Sequence, residues 1–172
     1  MRMWCCRMTR VLMLVTSFYL AQGIRVDDKE GFTLCNVPQL AQLNSVEVRE
    51  CTKWPCLARA GRSGTYQITL TQQTNEDLYN IKSDIYAWVR LPFINANNKP
   101  VRVSMPGEKK KPLCRFTDTG CPLAPGVPTT IRKSITIPIQ ARMAQGNVVV
   151  EFRVTDDNER VLTCFRAPVI VA

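Results

Sequence analysis

An all-β chain folded as a two-sheet antiparallel sandwich is what this sequence predicts, on three observations. Apolar residues recur at every second position in about seven segments, clusters of turn residues separate those segments, and helical periodicity is almost absent. In chain order, Val46 and Val48 alternate with Glu47 and Arg49, and Tyr66, Ile68 and Leu70 alternate with Gln67 and Thr69. Ile85, Ala87, Val89 and Leu91 share a face opposite Tyr86, Trp88 and Arg90, and Val101 with Val103 marks a short strand. From Ile131 to Ile139 isoleucine occupies every second position except Lys133. Val148, Val150, Phe152 and Val154 face away from Val149, Glu151 and Arg153, and a last strand runs from Val161 to Val171.

Between these segments lie Gly61-Arg62-Ser63-Gly64, Asn95 to Pro100, Pro106-Gly107, Pro122 to Pro128, Gln145-Gly146-Asn147 and Asp156-Asp157-Asn158. Asp157-Asn158 suits a hairpin turn. Pro138 cannot donate to a ladder, so the isoleucine strand is expected at a sheet edge or at a bulge. An edge strand lined with isoleucine needs cover against aggregation.

The chain has 172 residues, 45% of them apolar and 22% charged, which is the composition of one ordinary globular domain. Arg2, Arg7 and Arg10 precede an apolar run from Val11 to Leu20, and Ala21-Gln22-Gly23 follows with the small-x-small pattern of a signal-peptidase site. Residues 1–23 are therefore expected to be a signal peptide and residues 24–172 the single mature domain. The apolar run is too short for a membrane span, which needs about 20 residues. Secretion to the extracellular space, or delivery to an endosomal or lysosomal lumen, is the expected localisation.

Removing the leader takes away Cys5 and Cys6 and leaves Cys35, Cys51, Cys56, Cys114, Cys121 and Cys164, an even set suited to three disulfides. Sequence alone leaves their pairing open. A zinc site is disfavoured, because Cys51 to Cys56 and Cys114 to Cys121 are not CxxC knuckles and the chain has no histidine. Without histidine the usual general base is missing, and bonded cysteines offer no thiolate. Asp27-Asp28 lies in a terminal tail and Asp156-Asp157 in a turn, so neither reads as a catalytic pair across a cleft. A calcium loop at Asp156, Asp157 and Glu159 lacks the ligand spacing. The reading is not an enzyme, with no cofactor and no metal.

The mature chain holds 20 basic and 14 acidic residues. Its one basic run, Lys109-Lys110-Lys111, sits between Pro106-Gly107 and Pro112 and reads as a solvated loop. The sequence shows no basic stretch interleaved with aromatic residues, so nucleic acid is not an expected partner. The minority reading is weak attraction of the lysine run to anionic lipid headgroups, at about 1 kcal/mol per basic residue near them.

Several stretches together resemble the ML, or lipid-recognition, family, nearest to its branch of soluble sterol carriers and second-group mite allergens. They are Cys51-Thr-Lys-Trp-Pro-Cys56-Leu57 with a basic residue and Gly61 beyond; Thr65-Tyr-Gln-Ile-Thr-Leu70; Cys121-Pro122-Leu123; Val148-Val-Val-Glu-Phe152 running into Asp156-Asp157; and Cys164 near the end of an apolar strand. The resemblance implies an immunoglobulin-like sandwich with pairings Cys35 to Cys164, Cys51 to Cys56 and Cys114 to Cys121. It also implies a lipid, a sterol or a similar molecule, held in an apolar cavity between the sheets. Carried over by position, the lining residues are Tyr66, Ile68, Leu70, Leu91, Phe93, Ile135, Ile137, Val148, Val150 and Phe152, with the opening near Phe93 and Ile137. Where sterol carriers of the family tend to place an aromatic residue, four positions beyond Ile137, this chain has Ala141, which implies a wider mouth or a different ligand.

Alternation by itself describes a dry core packed at crystal-like density; only the resemblance implies space. A sterol burying on the order of 300 Å² of apolar surface would gain roughly 7 kcal/mol before association costs. The partners this implies are the lipid, a membrane surface and a lipid-accepting protein, with the carrier a monomer. Two rival roles remain at this stage. One is a lipid sensor whose Lys109 to Lys111 contact phosphorylated microbial lipid and present it to a receptor. The other is a dry-core module that binds through exposed Trp54, Trp88 and Tyr86.

Overall fold

The computed structural model describes residues 23–90, 99–144 and 146–172. Residues 1–22 of the expected leader, together with Leu91 and Phe93, lie outside the described residues. Strands, in chain order, are β1 (Ile24–Arg25), β2 (Thr33–Leu34), β3 (Ala41–Val48), β4 (Cys56–Ala58), β5 (Ser63–Gln72), β6 (Ile81–Val89), β7 (Val101–Ser104), β8 (Lys111–Pro112), β9 (Pro128–Thr136), β10 (Gly146–Asp156) and β11 (Val161–Val171). The seven segments with period-two patterning all form strands. The other four are two or three residues long, too short to show a period.

Two sheets face each other. The smaller has the order β1-β3-β5-β9, and the larger β2-β11-β10-β6-β7 with β4 on β11 and β8 on β6. Every pairing is antiparallel except β4 with β11. Of the two expectations, edge or bulge, the edge is found for β9, although Pro138 lies beyond the strand and does not itself enforce it. The strand stops at Thr136, earlier than expected, and Ile139–Ala144 coil into a 3-10 helix. The reason is local: Ile137 still bonds in register, its N–H donating to Arg62 O and its carbonyl accepting from Gly61 N–H, but Pro138 has no N–H to carry the ladder on and Ala141 N–H turns back to Pro138 O. On the outer face of the smaller sheet, Ser63 with Thr136, Thr65 with Ser134 and Thr69 with Thr130 form a cross-strand hydroxyl ladder that keeps this face polar.

The β10–β11 hairpin turns at Asp157-Asn158 as expected. Asp156 holds it closed by accepting from the Arg160 backbone N–H at 2.8 Å and from Arg160 Nε at 2.6 Å. All three disulfides pair as the resemblance implies: Cys35–Cys164, Cys51–Cys56 and Cys114–Cys121. Cys35–Cys164 spans 129 positions and ties the segment before β3 to the middle of β11. At the centre of the sandwich four rings stack in series. Phe32 lies 5.3 Å from Phe165, Phe165 lies 5.5 Å from Phe152, and Tyr66 meets Phe152 edge-on at 4.6 Å.

Candidate functional site

Register places the inward side chains of the larger sheet in rows across its strands. One row is Met105, Ile85, Phe152 and Phe165, large and buried. The next is Val103, Ala87, Val150 and Ala167, in which two of four residues are alanine. A third is Val101, Val89, Val148 and Val169. On the smaller sheet Tyr66 pairs with Lys133, and one step toward the same end Gly64 pairs with Ile135. The two inward surfaces therefore lose bulk together just beyond the ring of Tyr66.

This thinning divides the core. Among the described residues the buried apolar side chains fall into two groups, a large one around Ile68, Ile85 and Phe152 and a small one of Val89, Val148 and Val171. Ala141 and Ala144 of the 3-10 helix pack against the small group. Between them Val150, on the central strand of its sheet, is only half-buried, and so are Ile135, Ile137 and Ala87. A valine at that place in a fully packed sandwich would be covered. A Cβ built at Gly64 would meet only Glu50 Oε2, at 3.8 Å, so there is room for a side chain there.

Of the expected lining residues, Ile68 and Leu70 lie in the tightly packed half, fully buried, and Tyr66 and Phe152 stand at the boundary. Ile135, Ile137 and Val150 pack, half-buried, against the large group, and Val148 is buried in the small one. Leu91 and Phe93 fall in the 91–98 segment, outside the described residues.

Alternation flagged Lys133 as the break in the isoleucine strand, but not what it does. Its side chain stays inward, 3% exposed, and ion-pairs with Glu108 from the turn after β7. Glu108 lies beyond every periodic segment, so no local pattern could have found it. Burial, reinforced by the charge of Glu108, pushes the nearby Tyr66 phenol well above its ordinary pKa. Tyr66 Oη, Ser83 Oγ and Thr163 Oγ1 are buried without hydrogen-bond partners.

The rival sites are less open than the sequence suggested. Trp54 is half-buried and donates Nε1–H to Glu30 O at 2.8 Å, and Trp88 is half-buried and donates to Glu151 at 3.0 Å. Lys110 pairs with Glu159. Asp156, Asp157 and Glu159 are each held by a different partner, Arg160, Lys82 and Lys110, instead of converging on a cation. Among the described residues the grouping of metal-ligand types is Cys35, Cys164 and Glu151, and both sulfurs there belong to a disulfide. A concavity of about 150 Å³ lies on the outer face of the larger sheet among Lys82, Asp84, Lys110 and Arg153, too charged for a lipid tail.

Fold and staples define the class, a disulfide-bonded two-sheet β-sandwich with an unevenly filled interior. The ML domain family model matches residues 31–171, and the chain belongs to that family, whose members bind lipids and are not enzymes. No curated protein matches it in sequence. Among solved structures it is similar to a Niemann-Pick type C2 protein from Japanese carpenter ant, at 13% identity and a TM-score of 0.63, over 82% of this chain and 98% of that one. Chicken MD-1 complexed with lipid IVa matches at 12% identity and a TM-score of 0.43, over 84% of this chain and 93% of that one.

Proposed function

We propose that the chain is a secreted carrier that holds a sterol or similar lipid between its sheets, at the end where the inward faces thin. The observation that carries this reading is the half-buried Val150 on a central strand, flanked in register by Ala87 and Ala167 and faced by Gly64 and Ile135. Apolar walls without bulk are what a lipid completes, and shape does most of the selecting. The leader-like residues 1–23 and three formed disulfides support an oxidising, extracytoplasmic compartment.

Charge supports delivery to membranes. The described residues of segments 55–64, 87–90, 99–101, 135–144, 146–150 and 167–172, at that end, carry Arg59, Arg62, Arg90, Lys99 and Arg142, against the carboxylate of Glu50 beside Gly64. On the 3-10 helix, Ile139 is 56% and Met143 76% exposed. Apolar tips within a basic rim suit an anionic bilayer, and docking this way would point the thinned interior at the lipids.

The test is native mass spectrometry of the purified protein together with titration of a fluorescent sterol and a fluorescent fatty acid. Co-purifying lipid and saturable uptake are expected. Lipid-free protein that takes up neither probe would leave only a dry scaffold working through its surface.

A further inference from the structure

On the outer face of the larger sheet, register brings Tyr86 and Trp88 of β6, Arg102 of β7, Glu151 and Arg153 of β10 and Arg166 of β11 together. Glu151 is 1% exposed although it points away from the core, because the surrounding side chains roof it over. Trp88 Nε1 donates to it at 3.0 Å, Arg102 Nη2 at 2.5 Å and Arg166 Nε at 2.9 Å, and Arg153 Nη2 stands 3.9 Å away. Arg102 lies flat over the Tyr86 ring, 3.4 Å from its centroid, and Arg166 over the Trp88 ring at 4.9 Å.

Three guanidiniums around one carboxylate leave a local excess of positive charge. They also leave donors unused, since each guanidinium has five N–H groups and one carboxylate cannot accept them all. Arg102, Arg153 and Arg166 remain about a third exposed, and Arg153 Nε is buried without an acceptor. Stacking and the Glu151 bonds have already ordered the long side chains, so a partner would not have to order them again.

We propose that this face docks a protein surface bearing carboxylates, which pair with Arg102 and Arg166. Tyrosine, tryptophan and arginine at the centre of a patch are the residue types that dominate protein interfaces. Planar guanidinium forks held at fixed positions match fixed planar carboxylates better than fluid headgroups. The apolar side chains suited to a bilayer, Ile139 and Met143, are on the 3-10 helix and not on this face. A partner bound here would lie across the sheet from the interior and leave the lipid site free.

An oligoglutamate peptide titrated into the ¹⁵N-labelled protein is expected to shift the Trp88 indole N–H and its neighbours, more strongly at low salt. The triple variant R102Q/E151Q/R166Q removes both forks and halves the local excess charge, leaving Arg153, without leaving a buried carboxylate unpaired. It should bind the peptide at least about tenfold more weakly while keeping the parent's melting temperature within a few degrees and its uptake of lipid probes. R102K/R166K keeps the charge but loses the fork, and should fall between the two. Absence of shifts at Trp88, unchanged peptide binding by the triple variant, or engagement of this face by anionic vesicles or heparin where oligoglutamate fails would each overturn the proposal.

Discussion

At the scale of single residues, the interior is shaped by positions where the period-two pattern puts an unexpected side chain inward. Lys133 is the clearest. A lysine amid isoleucines is tolerated because Glu108 neutralises it, and the pair bridges β9 of one sheet to the turn leaving β7 of the other. Glu108→Gln should destabilise by about 3–5 kcal/mol in denaturant unfolding, because it leaves an ammonium buried without its counterion; Lys133→Met combined with Glu108→Leu should cost far less. Tyr66→Phe removes a hydroxyl that makes no well-formed bond, Ser83 being its nearest polar neighbour, so stability should hold or rise by up to about 1 kcal/mol; a clear loss would reveal a bond to Ser83, directly or through buried water. Gly64→Phe places a ring in the thinned region. Lipid uptake should fall roughly tenfold or more while thermal stability is little changed.

Among the elements, β9 and the 3-10 helix after it show what one proline does. Pro138 ends the β9 ladder, so the chain can turn across the end of the sandwich and present Ile139 and Met143 outward while Ala141 and Ala144 pack inward. Ile139→Ser with Met143→Ser should slow lipid transfer to anionic vesicles in a fluorescence assay several-fold and change affinity for the free lipid little. Equal losses in both would place these side chains in the lipid site itself. The long strands and their inward faces were legible because the period of two is local. β1, β2, β4 and β8 were not, since they exist only through pairing with β3, β11 and β6.

For the whole molecule, disulfides and charge set the working conditions. Losing Cys35–Cys164 should cost about 3–5 kcal/mol on the chain-entropy model and losing Cys51–Cys56 about 2, because the first closes a loop of 129 positions and the second one of 5. Burial alone would raise the Glu151 carboxyl, but hydrogen bonds from Trp88, Arg102 and Arg166 outweigh it and hold the group below the usual carboxylate range. Asn80 and Lys82 lower Asp157 in the same sense. A carboxyl whose pKa falls on folding stabilises fully above its unfolded value and loses that contribution as pH drops through the lower folded one. Thermal melts should therefore vary little between pH 5 and 7, where no histidine titrates, and fall below about pH 4. Lipid affinity should likewise change less than about tenfold from pH 5 to 7.

Alternation, turn residues and the even set of cysteines were enough, with no structure, to determine an all-β sandwich and the inward side of the strands with clear period-two patterning. Those features depend on neighbours a few positions apart. How full the interior is was decided only by tertiary structure, because the thinned region arises where Ala87, Val150 and Ala167 of one sheet come opposite Gly64 and Ile135 of the other. The same holds for Lys133 with Glu108, 25 positions apart, and Arg102 with Glu151, 49 apart. Such partners are chosen by strand register and by the stacking of two sheets, and no local pattern carries that information.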